Sequence, residues 1–240
     1  MSAKKVVLIT GGNTGLGFET VKALYRDSIA YDILIGTRDL EKGEAAIASL
    51  KKEFPESAST INAVQVDIEF DDSIQKAFEH VSSKHGKLDV LVNNAGASFD
   101  VKIQDGSLTV REAFNKSWDV NVTGTQVMTM TFVPLLLKSS DPRLMFVTSG
   151  TSSITETEIM TTPGLQRINA SPPAGWPKQA SVNPLTSYRS SKAGLNMLMR
   201  EWYRLLKNDG VKVWCVSPGF LATGLAGIGP EQLKKVCTEL

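Results

Sequence analysis

The chain has 240 residues, is 42% hydrophobic and 21% charged, and carries a formal net charge of +1. That balance suits a soluble globular protein able to bury a core, as one large α/β domain or two small ones. It gives no electrostatic case for nucleic acid or an acidic membrane surface as a partner.

Short apolar runs alternate with helical patterns along the chain. Residues 6–9 (Val-Val-Leu-Ile) read as a buried strand, too short for a signal-peptide core, and residues 18–26 as a helix. A second strand falls at 33–35, after which Asp39 caps a helix running through Ala45, Ala46 and Leu50. A strand at 61–66, a helix at 74–81 and a strand at 88–92 follow. One long helix is expected over 109–137, bent near Pro134, and its apolar stretch around 132–137 is far short of a membrane span. A fifth strand falls at 144–147, a helix at 187–206 and a sixth strand at 211–216. Near-continuous apolar strands separated by helices indicate a parallel sheet covered on both faces. Residues 151–184 break the rhythm, with Pro163, Pro172, Pro173, Pro177 and Pro184 among many Ser, Thr and Gly. A long irregular segment in a compact domain is a functional lid or disordered; Ile154, Ile159, Met160, Leu165 and Trp176 offer apolar anchors and favour a partly ordered lid. Cys215, in an apolar run, reads as a buried free thiol; with only Cys237 besides it there is no disulfide framework, which suits a reducing, cytoplasmic location.

Two motifs carry chemistry. The first strand ends in Thr10-Gly11-Gly12-Asn13-Thr14-Gly15-Leu16-Gly17. Glycines let the backbone turn tightly and approach a ligand, and the helix start that follows offers unpaired N–H groups to a pyrophosphate. The spacing is one residue longer than the common dinucleotide fingerprint. Far downstream, Tyr188 and Lys192 stand four residues apart, so both emerge on one face of a helix. A phenol has a pKa near ~10, and an ammonium group held close favours the phenolate, which makes the pair a candidate acid/base device. His80 and His85 lie on or after a polar helix and read as surface residues. No metal site is expected.

With these motifs stand Asp67 after the third strand, Asn93-Asn94-Ala95-Gly96 after the fourth, Asn121, Ser149 after the fifth, and Pro218-Gly219 with Thr223 after the sixth. In this order they make the chain resemble the short-chain dehydrogenase/reductase family over nearly its whole length. Within that family it is most similar to the NADPH-dependent carbonyl reductases, through Gly-Gly-Asn in the turn, Thr37-Arg38-Asp39 after the second strand and Gly175-Trp176-Pro177 before the tyrosine. The resemblance implies one doubly wound Rossmann-type domain over 1–240, strand order 3-2-1-4-5-6, with the lid inserted at about 151–184. It implies NADP(H) held by Gly11, Asn13, Thr14, Gly15, Leu16, Gly17, Arg38, Asp67, Ile68, Asn93, Ala95, Gly96, Tyr188, Lys192, Pro218, Gly219, Leu221 and Thr223. Arg38, with no carboxylate before it, would accommodate the 2′-phosphate of NADP where an acid would select NAD.

The family's catalytic set corresponds to Asn121, Ser149, Tyr188 and Lys192. The resemblance implies that Ser149 binds the carbonyl oxygen, Tyr188 protonates it, Lys192 holds the ribose and depresses the tyrosine's pKa, and Asn121 anchors a water leading from Lys192 to solvent. Choosing Ser149 over Ser152 or Ser153 depends on the fifth strand ending at Val147. The expected activity is reduction of a ketone or aldehyde; the alternatives are an alcohol or polyol dehydrogenase and a non-catalytic nucleotide-binding regulator. Two features depart from the family pattern, a long insertion before Tyr188 and no convincing seventh strand after Thr223, which reads as a shortened member or a missing tail. The helix carrying Tyr188 shows Arg189, Arg200, Glu201, Arg204 and Lys207, read as a charged outer face, and charge is depleted at the cores of stable interfaces. The expected assembly is therefore a monomer or weak homodimer.

Overall fold

The computed structural model describes residues 4–178 and 185–219 together with Leu221 and Leu225. Six strands form one parallel sheet in the order β3-β2-β1-β4-β5-β6. They are β1 (Lys5–Thr10), β2 (Tyr31–Thr37), β3 (Thr60–Gln65), β4 (Val90–Asn93), β5 (Arg143–Val147) and β6 (Lys212–Val216). Alternate residues of the central strands feed two separate cores, as the period of a strand requires. Val7, Ile9, Ile33 and Ile35 pack with Val21 and Tyr25 of α1 (Gly15–Tyr25) and with Ile47 and Leu50 of α2 (Leu40–Glu53). Val6, Leu8 and Leu34 face the other way. They pack with Ile74 of α3 (Asp71–His85), Phe132 beyond the short helices α4 (Asp100–Gln104) and α5 (Val110–Trp118), and Leu195 of a later helix. The order reverses between β1 and β4, so their carboxyl ends open a crevice, the place where such sheets bind ligands.

The long helix expected over 109–137 is divided. Thr109 caps α5 in a reciprocal capping box with Glu112. The chain then widens into a π-helical stretch, Asp119–Gly124, before α6 (Thr125–Leu136) runs unbroken past Pro134. The irregularity thus sits at Asn121 and not at the proline, and wide turns of this kind often occur at functional sites. Gly124 closes that stretch hard against the loop after β3, where a Cβ would stand 2.2 Å from the Ile68 carbonyl oxygen.

The expected lid holds more regular structure than foreseen. Gly150–Ser152 and Thr155–Glu158 are 3₁₀ turns and α7 (Pro163–Asn169) is a short helix capped by Thr162. Three of its proposed apolar anchors point outward: Ile154 is 80%, Met160 44% and Trp176 88% exposed. Helix α8 (Thr186–Leu206) follows. Ser187 and Ser191 are fully buried on it, Ser187 bonded to Ser117 of α5, and a Cβ at Gly194 would meet the Trp118 ring at 2.7 Å. Small residues at this helical spacing let α8 lie close against α5 and the π turn. His85 differs from its surface reading, since its Nδ1 sits 3.0 Å from an Asp32 carboxylate oxygen with the imidazole largely covered. Cys215 is only partly covered. Thr223, Cys237 and the region where a seventh strand was not expected lie outside the described residues. No helix among the described residues is long and apolar enough to cross a membrane.

Gly124→Ala should destabilise the protein by about 1–3 kcal/mol, because the obstructing atom is backbone that cannot rotate away. At about 2–4 °C per kcal/mol for a chain of this size, thermal unfolding should move down by several degrees. An unchanged melting temperature would contradict the close approach.

Candidate active site

A cleft of about 1020 Å³ runs along the carboxyl ends of the strands. At one end the glycine turn builds its floor. Gly11 and Gly15 take positive φ of 63° and 54°, the left-handed region that a side chain disfavours. Gly17 admits no side chain, since a Cβ would lie 2.3 Å from the Gly11 carbonyl oxygen. Thr14 leads into α1 without a side-chain cap and no acid occupies the first turn, so the helix start keeps its N–H groups for a ligand. Thr10 ties this turn to the loop after β4. Its buried hydroxyl accepts from the N–H of Asn94 and of Ala95, both at 3.0 Å, while the Asn94 amide donates to the carbonyls of Thr10 and Gly11 at 2.8 and 3.3 Å.

Beyond the turn, Arg38 lines the cleft beside Asp67, Ile68, Asp39 and Lys42. Its guanidinium is largely exposed and lies 3.7 Å from a Glu69 carboxylate oxygen. Asp39 caps α2 through the Lys42 N–H, as its sequence position suggested, and pairs with the Lys42 ammonium at 3.2 Å. One oxygen of Asp67 accepts from the Glu69 N–H at 3.1 Å. Cations and carboxylates therefore alternate at this end. The donors, the bare helix start and the glycine floor fit the pyrophosphate and ribose of a dinucleotide.

At the other end stand Ser149, Tyr188 and Lys192. Strand β5 does end at Val147, which is the condition for assigning Ser149. Ser152 is buried off the cleft, its hydroxyl donating to the Ser149 carbonyl and accepting from the Asn196 amide at 3.1 Å. The Ser149 hydroxyl is hydrogen-bonded to that of Thr151 at 2.9 Å and lies near the Tyr188 phenol. Lys192 is 3% exposed, its Nζ 5.8 Å from the tyrosine ring centroid and donating to the Val147 carbonyl at 2.8 Å. Burial pushes the phenol's pKa up, and the neighbouring Ser149 hydroxyl restores it only in part. Burial also brings the ammonium down to about 8. The expectation that Lys192 depresses the tyrosine is thus not met here, because desolvation dominates the phenol and Ser149, not Lys192, is what opposes it.

Two expected residues sit outside the cleft. Asn93 is buried, its amide donating to the Thr129 hydroxyl at 2.9 Å, while Asn94, Ala95 and Gly96 line the cleft in its place. Asn121 has its side chain fully engaged: its amide donates to the Ala97 carbonyl and the Ser191 hydroxyl, and its oxygen accepts from the Ala97 N–H at 2.9 Å. Gly11, Asn13, Thr14, Gly15, Leu16, Gly17, Ile68, Pro218, Gly219 and Leu221 all line the cleft; Thr223 is outside the described residues. Sequence reasoning passed over Asp100. It is 3% exposed and accepts from the N–H of Ser187 at 2.8 Å and of Tyr188 at 2.9 Å, an N-cap supplied to α8 from another helix. Its partners lie 87 and 88 residues away, so no local pattern marks it.

Residues 5–160 and 168–232 match the family profile described as short chain dehydrogenase. The chain is 51% identical over 225 residues to the short-chain dehydrogenase/reductase tropE of Talaromyces stipitatus, covering 94% of this chain and 81% of the relative. It is 53% identical to the short-chain dehydrogenase/reductase eupG of a Phoma species, covering 92% and 79%. Among solved structures, NADPH-bound carbonyl reductase from chicken fatty liver superposes with a TM-score of 0.72 at 22% identity over 97% of this chain and 88% of that one. The L-sorbose reductase of Gluconobacter frateurii, complexed with NADPH and L-sorbose, gives 0.70 at 21% identity over 92% and 71%. With the fold, the glycine-floored cleft and a half-identical relative in agreement, the chain belongs to the short-chain dehydrogenase/reductase family of oxidoreductases.

Proposed function

We propose that this protein reduces a ketone or aldehyde with NADPH, with Tyr188 as proton donor. The observation that carries the reading is the gathering of Ser149, Tyr188 and the buried Lys192 at one end of a cleft whose other end holds Arg38. NADPH, when bound, supplies the hydride. Arg38 and the start of α1 would hold its phosphates, Asp67 and Ile68 its adenine, Asn94 to Gly96 its sugar, and Pro218, Gly219 and Leu221 the nicotinamide side. Ser149 would hydrogen-bond the substrate carbonyl oxygen and polarise it. Tyr188 would give that oxygen its proton, and the Lys192 cation would stabilise the phenolate left behind. With its own side chain engaged, Asn121 would reach a water only through its main-chain carbonyl, in the widened π turn.

Whereas the oxidative direction needs the phenolate, Tyr188 keeps its proton at neutral pH, as the reductive direction needs at the start. The NADPH-bound carbonyl reductase and the sorbose reductase, both similar in fold, accord with this direction.

Three outcomes test the reading. Arg38→Ala should weaken NADPH binding several-fold while NADH binding changes little; the charge-assisted contact, ~1.5–3 kcal/mol at most, is discounted because the side chain is exposed and shared with Glu69. Equal losses for both cofactors in a fluorescence titration would exclude the 2′-phosphate role.

Tyr188→Phe should leave NADPH affinity nearly intact and lower kcat by about 10²–10⁴, the usual worth of a positioned proton donor. Near-normal turnover of ketones and aldehydes by this variant would remove the mechanism.

The third outcome is a pH profile. Lys192 is protonated below about 8 and neutral above it, whereas the raised phenol keeps its proton past the ordinary value. Reductive kcat/KM should therefore hold through neutral pH and fall as pH passes about 8. A profile level well beyond that point would show that the lysine charge does not matter.

A further inference from the structure

Arg189 follows the candidate proton donor directly, and its position in the sequence suggests a solvated charge. In the structure its side chain crosses from α8 to the irregular segment. Nε donates to the Thr151 carbonyl at 2.7 Å, one terminal nitrogen to the Ile168 carbonyl at 3.1 Å, and the other to the Asn169 side-chain oxygen at 3.0 Å. Asn169 extends the link: its amide donates to the carbonyls of Glu156 at 2.8 Å and Ile159 at 3.1 Å. One guanidinium thus gathers, directly or through Asn169, four main-chain carbonyls spread from Thr151 to Ile168. Two of its three acceptors belong to the last turn of α7, where carbonyls lack helical partners and a cation is favoured.

Apart from the bond between Ser152 and the Asn196 amide of α8 at its very start, the segment beyond Ser153 has little else of comparable strength to hold it. Ile154, Met160 and Trp176 face outward. Among the described residues no carboxylate lies within ion-pair distance of Arg189, so its fork is committed to these carbonyls. Thr151, Leu165, Ile168 and Asn169 line the cleft together with Arg189, near Tyr188.

We infer that Arg189 is a positioning residue that staples residues 151–169 onto the tyrosine-bearing helix, so that the substrate wall of the cleft stands before a substrate arrives. Arg189 takes no part in proton or hydride movement. A wall already in place spares the substrate the cost of ordering it, and this cost would otherwise appear in KM. A lysine, one compact charge on a flexible stem, cannot serve three diverging acceptors together. The kinetic consequence rests on the reductase reading; the structural one does not.

The experiment therefore has two readouts on the full chain, hydrogen exchange of residues 155–170 without ligand and steady-state kinetics with a ketone that the unmodified protein reduces with NADPH. Arg189→Met keeps the stem and removes every donor. Exchange in that segment should quicken about tenfold while β1 and β4 stay protected, KM for the ketone should rise about tenfold, and kcat and NADPH affinity should stay within about twofold. Arg189→Lys should fall between the two. Asn169→Ala, remote from the tyrosine, should shift both readouts the same way by less, and the double variant should match Arg189→Met, since the two residues act through one another. If Arg189→Met does not fold, Asn169→Ala alone decides, and unchanged exchange in it overturns the proposal. Unchanged exchange in Arg189→Met, or a loss confined to kcat or NADPH affinity, overturns it as well. Quickened exchange in an enzyme whose unmodified form reduces no carbonyl compound would uphold the staple and overturn the reductase reading instead.

Discussion

A lysine ammonium buried almost completely at the centre of the molecule is the constraint on which the rest of the site depends. A cation out of water needs a partner, and here the partner is neutral, the carbonyl of Val147 at the last residue of β5. That bond requires α8 to lie close to the sheet end, and closeness requires small residues on its inner face. Ser187, Ser191 and Gly194 meet that need, with Trp118 filling the space a side chain at Gly194 would take. The same packing covers Tyr188. Burial thus moves both groups toward their neutral forms, the phenol by raising its pKa and the ammonium by lowering it to about 8.

The opposite end of the cleft works by other means. There the groups are exposed and act as a pattern of charge, with Arg38 facing Glu69 and Asp39 facing Lys42. Exposed pairs contribute little to stability, so an anionic ligand can displace a carboxylate from its cation at small cost. Between the two ends the Thr10 hydroxyl and the Asn94 amide lock the glycine turn to the loop after β4. The strand reversal that opens the crevice is thereby also tied across by hydrogen bonds.

The sheet was legible because its cause is local. Apolar runs such as Val6 to Ile9 and Ile33 to Ile35 are buried on both faces, and period and composition show this without tertiary information. Tyr188 with Lys192, the glycine turn and the Asp39 cap were legible for the same reason, each being a short motif with a local mechanism. Asn93 was misjudged because neighbours in a strand point to opposite faces, and the sequence does not say which of Asn93 and Asn94 faces the cleft. The lid was misjudged because apolar residues were taken as its anchors, whereas Ile154 and Trp176 are exposed and hydrogen bonds hold it. The break at Asn121 was hidden because proline is the familiar helix breaker, and a π turn stabilised by a buried asparagine leaves no composition signal.

The residues that no local pattern could reveal converge on one place, the first turn of α8. Asp100 takes the main-chain N–H groups of Ser187 and Tyr188, and Arg189 takes the main-chain carbonyls of the segment across the cleft. One is an anion at a helix start and the other a cation at the end of α7, so each charge satisfies backbone groups that a helix end leaves unpaired. Neither needs a charged partner, and neither sits where a sequence rule looks for a cap. Their joint effect is that the tyrosine's main chain is held from the α4 side and its neighbour's side chain from the lid side. The cleft beside Tyr188 is therefore flanked by two segments, 100–104 and 151–169, that these charges tie to α8 and that lie outside the sheet. Substitutions there can alter how a substrate is held while the sheet and the glycine turn stay as they are, which gives a shared fold its room for different substrates.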